Sequence, residues 1–403
     1  MTVFSFSKVI PFEGIPHAGG EYYLRFIRTL SRHVNVQVCA PHEPRNAEAP
    51  LGLAPPQAEY MTSGRFFHES LVGIAARKLV NLRRRINPIA ISAEFYSAIF
   101  SRNIRRHWSN AEVLDVQWVE NAGIIPWLRK FNPRAHICVV AHDVLSQKYR
   151  RQVASTEFIL AKLITGVRLR FVTYLERKYL GQADSVIVFS DKDKELLVSM
   201  DATIAVEVVR PPLADVLVYQ RNTSDFSSHC PELLFTGAFG RIENQNAAMW
   251  LLRNVWPKVL SEFPAAKLVL AGSSPSDELC AQADKFDSVE VTGYVDDLSP
   301  YYSRASCFVA PIFEGAGVKF KVITALNWGI PIVATPVAAE GIGGHNLFAA
   351  VTSDPNAFAA SIVDVLRDPI DAFERARSSQ HWVRRFYGQE QFEQSLISLY
   401  SRI

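Results

Sequence analysis

Long apolar runs are missing from this 403-residue chain. No stretch approaches the roughly 18 to 20 consecutive apolar residues that cross a bilayer as a helix, which excludes a membrane-spanning helix. Cysteine is scarce too. Cys39, Cys138, Cys230, Cys280 and Cys307 stand far apart, without the paired spacing of metal or dithiol sites. Several lie in strand-like runs, where a thiol is a small buried hydrophobe. The expectation is a reducing cytoplasm and no structural disulfide. A first-strand Gly-x-Gly-x-x-Gly with a downstream ribose acid is also absent, which argues against a dinucleotide dehydrogenase. Met1 to Lys8 hold one late cation and no small-residue cleavage site, so they read as a buried first strand rather than a signal peptide. There is no low-complexity tract and no short repeat.

What is present suits two globular domains of roughly 200 residues each. Apolar residues make up 48% of the chain and charged residues 21%. The net charge is only +3, but it is unevenly spread. Residues 1–220 hold 28 Lys and Arg against 20 Asp and Glu, a balance of +8; the remainder holds 15 against 20, a balance of −5. A basic front half suits an anionic partner such as lipid headgroups, or else charges solvated on helix faces.

The first half reads as strand Val3–Ile10, a glycine loop through Gly19 and Gly20, and an amphipathic helix with Tyr23, Phe26, Ile27 and Leu30. Strand Val34–Ala40 follows, then an irregular insertion over residues 42–70 and a basic helical stretch from Ser70 to Trp108. Further strands are expected at Val113–Trp118, His136–Ala141 and Ser185–Phe189, with a long amphipathic helix over Thr156–Leu180 before the last. A boundary falls near Arg210-Pro211-Pro212, and Asp215–Glu232 has a linker's composition. A second series then alternates strands Glu232–Thr236, Lys267–Ala271, Val289–Thr292, Cys307–Ala310 and Pro331–Ala334 with helices Ala247–Phe263, Lys319–Trp328 and Asn356–Arg367. Two doubly wound parallel sheets follow, an α/β fold with ligands expected outside the carboxyl ends of the strands, in a shared cleft.

The segment Pro311 to Thr335 carries the strongest chemical signal. A strand ends at Pro311, and Gly315-Ala316-Gly317 opens a helix. Its amides and the helix N-terminus suit a diphosphate or sugar hydroxyls. A plain structural turn is the competing reading. Asp296-Asp297 sits on a helix-start pattern and reads as a cap rather than a metal site.

This segment resembles the donor-binding motif of glycosyltransferase family 4, retaining enzymes of GT-B architecture. The similarity extends through Leu233-Leu-Phe-Thr-Gly-Ala-Phe239, Ala266-Lys-Leu-Val-Leu-Ala-Gly272 and Val289-Glu-Val-Thr-Gly-Tyr-Val295, then Asp297–Tyr302 and Ala334–Gly341. It covers nearly the whole second domain and, more loosely, the first. The resemblance implies two Rossmann-like domains, 1–212 and 213–382, with a C-terminal helix at 383–403 returning to the first. It implies Glu314 and His142 as catalytic residues, Glu314 holding donor-sugar hydroxyls and His142 reaching sugar or acceptor. Donor contacts fall to Gly19, Gly20, Gly237, Gly272, Asn244 and the amides of Gly315, Ala316, Gly317 and Val318. Gly293, Tyr294 and Val295 lie where the base would sit. No metal and no cofactor are expected, only a nucleotide-diphosphate sugar as co-substrate.

Two departures from the family pattern matter. Thr324 stands where the family's second glutamate grips the ribose, which loses a charge-assisted bond. The family's Arg and Lys phosphate clamp is also missing: Ala238 takes the Arg position and Glu243-Asn244 the Lys position. Arg241 or Lys319 is expected to supply the cation. The activity so implied is retaining, metal-independent transfer of a hexosyl or deoxyhexosyl group to a glycan or lipid-linked acceptor. Its expected setting is polysaccharide or glycoconjugate biosynthesis. An epimerase or hydrolase on the same fold, or an inactive nucleotide-sugar-binding partner, are the alternatives. The expected location is cytoplasmic, with an anionic membrane surface as a further partner through Arg83-Arg84-Arg85, Arg105-Arg106-His107-Trp108 and Lys148-Tyr149-Arg150-Arg151. No nucleic-acid partner is expected.

Overall fold

The computed structural model describes residues 1–15, 17–156, 158–213 and 230–403. The stretch 215–229, most of the expected linker, lies outside the described residues. The chain divides into two compact units, Met1–Pro212 with Phe392–Ile403, and Leu213–Gln391.

In the first unit, seven strands lie in one parallel sheet: β1 (Thr2–Phe6), β2 (Asn35–Pro41), β3 (Ala58–Ser63), β4 (Val113–Gln117), β5 (His136–Val140), β6 (Ser185–Val188) and β7 (Val206–Val208). Their order is β3-β2-β1-β4-β5-β6-β7. Strands covered on both faces need near-continuous apolar runs, and β5 and β6 have them. The helix Ala18–Leu30 packs Tyr22, Tyr23, Phe26, Ile27 and Leu30 into the core, matching the apolar spacing of its sequence.

Residues 42–70 are not all irregular, contrary to the sequence reading. Within them, β3 pairs in parallel with β2 from Val36↔Ala58 to Pro41↔Ser63. It lies at the edge of the sheet and is only half-buried, so Ala-Glu-Tyr-Met-Thr-Ser suffices without an apolar run. The basic stretch to Trp108 is three helices, Leu71–Ile86, Ala93–Phe100 and Arg102–Ser109. The first ends ahead of Pro88, whose ring disfavours helical backbone at Asn87.

The second unit repeats the plan with β8 (Glu232–Thr236), β9 (Lys267–Ala271), β10 (Val289–Gly293), β11 (Cys307–Ala310), β12 (Ile332–Ala334) and β13 (Ala350–Val351). Every pairing is parallel, in the order β10-β9-β8-β11-β12-β13. The helix expected at 247–263 starts earlier, at Ile242, and passes through a π turn over Leu251–Val255. Pro257 follows at once, lacks an N–H and forces the ladder to adjust.

The return to the first unit falls at Phe392 rather than at 383. Helix Pro369–Tyr387 stays with the second unit because Gln380 donates to the Asn327 carbonyl at 2.7 Å and Arg384 donates to Asn327 Oδ1 at 2.9 Å. Phe392 and Tyr400, on the last helix, instead pack on Tyr22 and Phe26, and Glu393 pairs with Arg32 at 3.0 Å.

Where β8 and β9 end, the backbones meet closely. Gly272 has φ +148°, and a Cβ there would lie 1.8 Å from the Gly237 carbonyl oxygen. Only glycine fits. Gly272→Ala is expected to destabilise the second unit by more than about 2 kcal/mol. Hydrogen exchange across β8 and β9 would register the loss; unchanged protection would show that the strand ends separate freely.

Candidate functional site

In an open parallel sheet the loops leave opposite faces where strand order reverses, and ligands bind beside the carboxyl ends there. In the second unit the reversal falls between β8 and β11. The residues expected to hold the donor gather around those strand ends.

After β11 the chain runs through Pro311 to Lys319 into helix Phe320–Asn327. Gly315 and Gly317 have φ of +93° and +69°, backbone that other residues adopt only with strain. Phe313 packs its ring on Trp250 with centroids 4.9 Å apart, which anchors the loop. Glu314 is half-buried, and its Oε1 accepts from Asn246 Nδ2 at 3.4 Å.

The expected replacement cations are otherwise engaged. Lys319 turns inward and donates to the carbonyls of Ala316 at 3.2 Å and Gly317 at 2.7 Å, and it pairs with Glu340 at 3.1 Å. It therefore stitches the loop rather than offering its charge to a ligand. Arg241 pairs with Glu243 at 2.5 Å and is mostly exposed.

Lys321 instead lies beside Gly237, just past the end of β8. Its Nζ donates to Asn244 Oδ1 at 2.8 Å and lies 4.8 Å from the Phe235 ring centroid. A Cβ on Gly237 would fall 2.8 Å from it. Asn244 is itself oriented, donating from Nδ2 to the Ala238 carbonyl at 2.9 Å. Among the described residues no carboxylate pairs with Lys321; Glu243 acts only at longer range. Burial, with Arg241 adding to it, drops the ammonium to about 7. Lys321 is part-buried, and among the described residues its ammonium meets one neutral amide and a ring face, an arrangement with room for an anion. Lys321 is not among the residues singled out from the sequence.

Thr324 lies one helical turn beyond Lys321 and is half-buried. Gly293, Tyr294 and Val295 leave the end of β10; Gly293 has φ +69° and Tyr294 is exposed. Asp297 Oδ1 accepts from the Ser299 amide at 2.8 Å at the start of helix Ser299–Arg304.

The first unit reverses between β1 and β4. His142 follows β5, nearly buried, with its ring stacked on Trp118 at 4.2 Å and 14°. Trp118 has φ +65°, an uncommon backbone for a non-glycine residue and the kind of strain that collects at functional sites. His142 Nε2 pairs with Gln117 Oε1 at 3.1 Å. Burial, with Lys8 and His17 nearby, holds the imidazole well below its usual value, so it is neutral. Lys8 pairs with Glu120 at 3.0 Å and lies 5.3 Å from the Trp118 ring. Glu176 fixes the loop after His142 by accepting the amides of Leu145 and Ser146 at 2.7 and 2.9 Å. Gly19 and Gly20 open helix Ala18–Leu30, where His17 Nδ1 accepts the Gly20 amide at 2.8 Å. A Cβ on Gly19 would sit 3.3 Å from Trp118 and 3.7 Å from His142 Nδ1. The structure thus brings His142 to Gly19, and adds Trp118, Gln117 and Lys8.

Residues 230–368 match the family model described as Glycosyl transferases group 1. An uncharacterized 44.6 kDa protein in the cps region of Klebsiella pneumoniae is 26% identical over 180 residues, 43% of this chain. That match spans 46%, under half, of the relative's length. Solved structures resemble the whole chain. HepE of Anabaena, in complex with UDP and glucose, superposes with a TM-score of 0.69 at 12% identity and full coverage of both chains. Sucrose-phosphate synthase from Thermosynechococcus elongatus gives 0.67 at 16%, covering 100% of this chain and 98% of that one. S. aureus TarM, in complex with fondaparinux, alpha-GlcNAc-glycerol and UDP, gives 0.67 at 9%, covering 99% of each. The architecture is GT-B. With the family match over the second unit, the comparisons support a glycosyltransferase of that architecture.

Lys321→Met is expected to weaken nucleoside diphosphate binding by about tenfold or more, while nucleoside binding changes little. The sign with pH follows from the lowered value. Near and above pH 7 the free ammonium sheds its proton and a bound anion restores it, so binding there takes up protons. Calorimetry in buffers of different ionisation enthalpy measures that uptake, and Lys321→Met should show less of it. Equal uptake in both proteins would place the phosphate elsewhere.

Proposed function

We propose that this chain is a retaining glycosyltransferase that moves a sugar from a nucleotide-diphosphate sugar to a glycan or lipid-linked acceptor, in polysaccharide or glycoconjugate biosynthesis. The observation that carries the reading is the Lys321 ammonium beside Gly237 and Asn244, at the strand reversal of a unit matched by a glycosyltransferase family model. HepE and TarM hold UDP, which supports a nucleotide as the donor's carrier.

On this reading Lys321 neutralises the leaving diphosphate, where charge develops in the transition state. The amides from Gly315 to Val318 bind phosphate or sugar hydroxyls, and Glu314 holds hydroxyls of the donor sugar. Thr324 faces the ribose with a neutral grip. Gly293, Tyr294 and Val295 contact the base. The leaving phosphate takes the acceptor's proton, so no separate base and no metal are needed. Retention rests on the family 4 resemblance.

Membrane attachment belongs to the same proposal, on residues that only partly coincide with those first expected. Trp108 and Tyr149 are buried, Arg105 lies over Phe131 and Arg168 over Tyr149, so those aromatics face the core rather than headgroups. The Arg85 side chain lies outside the description. Exposed apolar side chains instead line helix Leu71–Ile86, at Leu71, Val72, Leu79, Leu82 and Ile86, and helix Ile159–Leu180, at Ile159, Leu160, Leu163, Ile164 and Val167. Arg77, Lys78, Arg83, Lys162, Arg168 and Arg170 lie among them. Apolar residues interleaved with cations suit an anionic interface. No helix among the described residues is long and apolar enough to cross a membrane.

Product release with UDP-, GDP-, ADP- and dTDP-sugars tests the activity. Glu314→Gln should lose at least about a hundredfold in turnover with its fold intact; wild-type turnover would remove Glu314 from the site. Sedimentation with vesicles tests attachment. Binding should favour anionic over neutral vesicles, weaken with salt and fall several-fold in Ile159→Glu/Leu163→Glu. Equal partitioning to both vesicle types, or none, would leave the acceptor site without a membrane.

A further inference from the structure

A line of buried polar groups crosses the first sheet and ends at His142. Tyr23 Oη lies 2.8 Å from Ser5 Oγ, and Ser5 donates to Asp115 Oδ2 at 2.5 Å. Gln117 Nε2 donates to the same carboxylate, at 2.9 Å to Oδ2 and 3.2 Å to Oδ1. Its other amide atom, Oε1, faces His142 Nε2 at 3.1 Å. Ser5, Asp115 and Gln117 are all completely buried. A buried polar group without a partner costs about 1–3 kcal/mol, so a line of this kind has one preferred direction.

Asp115 decides that direction. A carboxylate only accepts, so it fixes the amide of Gln117 with nitrogen toward itself and oxygen toward the histidine. An amide oxygen also only accepts, so His142 must carry its proton on Nε2. Burial pushes the Asp115 carboxyl up to about 7. Even when protonated it keeps a carbonyl oxygen, and both of its oxygens are within reach of the Gln117 amide nitrogen. The orientation therefore survives either protonation state with the proton on the Ser5 side.

The opposite ring nitrogen is left bare. Nδ1 has no hydrogen-bond partner among the described residues. It faces Gly19, where a Cβ would come within 3.7 Å of it. Trp118 covers one face of the ring, and Tyr22 and Phe189 approach it at 5.1 Å each. The imidazole is held on every side but one.

We propose that Asp115 and Gln117 are positioning residues that lock His142 in its Nε2–H tautomer, so that Nδ1 presents a lone pair over Gly19 and accepts a hydroxyl hydrogen from the sugar ligand. This rests on the reading of His142 as a ligand-facing residue. A bare nitrogen on a neutral ring takes a hydroxyl hydrogen and not a phosphate oxygen.

The test is the nitrogen spectrum of histidine in the intact chain labelled with 15N at its imidazoles, at pH 7.5 and without ligand. The His142 signals are assigned by their loss in His142→Asn. The expected result is a neutral ring protonated on Nε2, with roughly a tenfold or greater excess over the other tautomer. Gln117→Met removes the acceptor at similar size, and the excess should fall several-fold. Asp115→Leu should lower it too; if that variant does not fold, Gln117→Met carries the comparison. A charged ring, a proton on Nδ1, or a ratio unchanged in Gln117→Met would each overturn the proposal. The spectrum is read without donor or acceptor, so its failure is distinct from a failure of glycosyl transfer.

Discussion

An ammonium partly withdrawn from water has to be compensated, and among the described residues of the second unit Lys321 meets an amide oxygen and the face of a phenyl ring. Much of that unit's site can be understood as the setting for this group. Asn244 is turned toward it by the Ala238 carbonyl, and Gly237 has no side chain that would displace it. Gly272 lets the two strand ends close up behind. Lys319, nearer the glycine loop, spends its hydrogen bonds on loop carbonyls and Glu340 and so shapes the loop without competing for an anion. The low value of Lys321 is the mark of that shortage, and a diphosphate is a ligand that would relieve it.

The first unit solves a different problem with neutral chemistry. Its strand ends gather His142, Trp118 and Gly19 around a buried line of hydroxyl, carboxylate and amide groups. Lys8 is paired there with Glu120, and His142 is kept neutral by burial. The strand ends of the two units thus differ in kind, with a lysine ammonium beside Gly237 in one and a neutral imidazole beside Gly19 in the other.

Much of this was legible before any coordinates. Buried strands such as His-Ile-Cys-Val-Val and Lys-Leu-Val-Leu-Ala announce themselves as apolar runs, and the glycines at 315 and 317 mark the loop because left-handed backbone excludes other residues. The edge strand Ala58–Ser63 was not legible, since one-sided pairing asks for no such run. The cations were misread for a reason of the same kind. Lys319 looks available for a ligand in the sequence, yet its partner Glu340 comes 21 residues later in the chain. The Asn244 that Lys321 meets lies 77 residues earlier. Gln117 and His142 are 25 residues apart and meet only because β4 and β5 are neighbours. Local pattern identifies elements; which side chains meet at their ends is a property of sheet order.

The most direct measurement is a crystal structure of the chain with a nucleoside diphosphate bound. The account predicts a phosphate oxygen within hydrogen-bonding distance of Lys321 Nζ, over Gly237, with other phosphate oxygens on the amides of the Gly315–Val318 loop. Phosphates bound away from Gly237, with Lys321 still held by Asn244 alone, would contradict it.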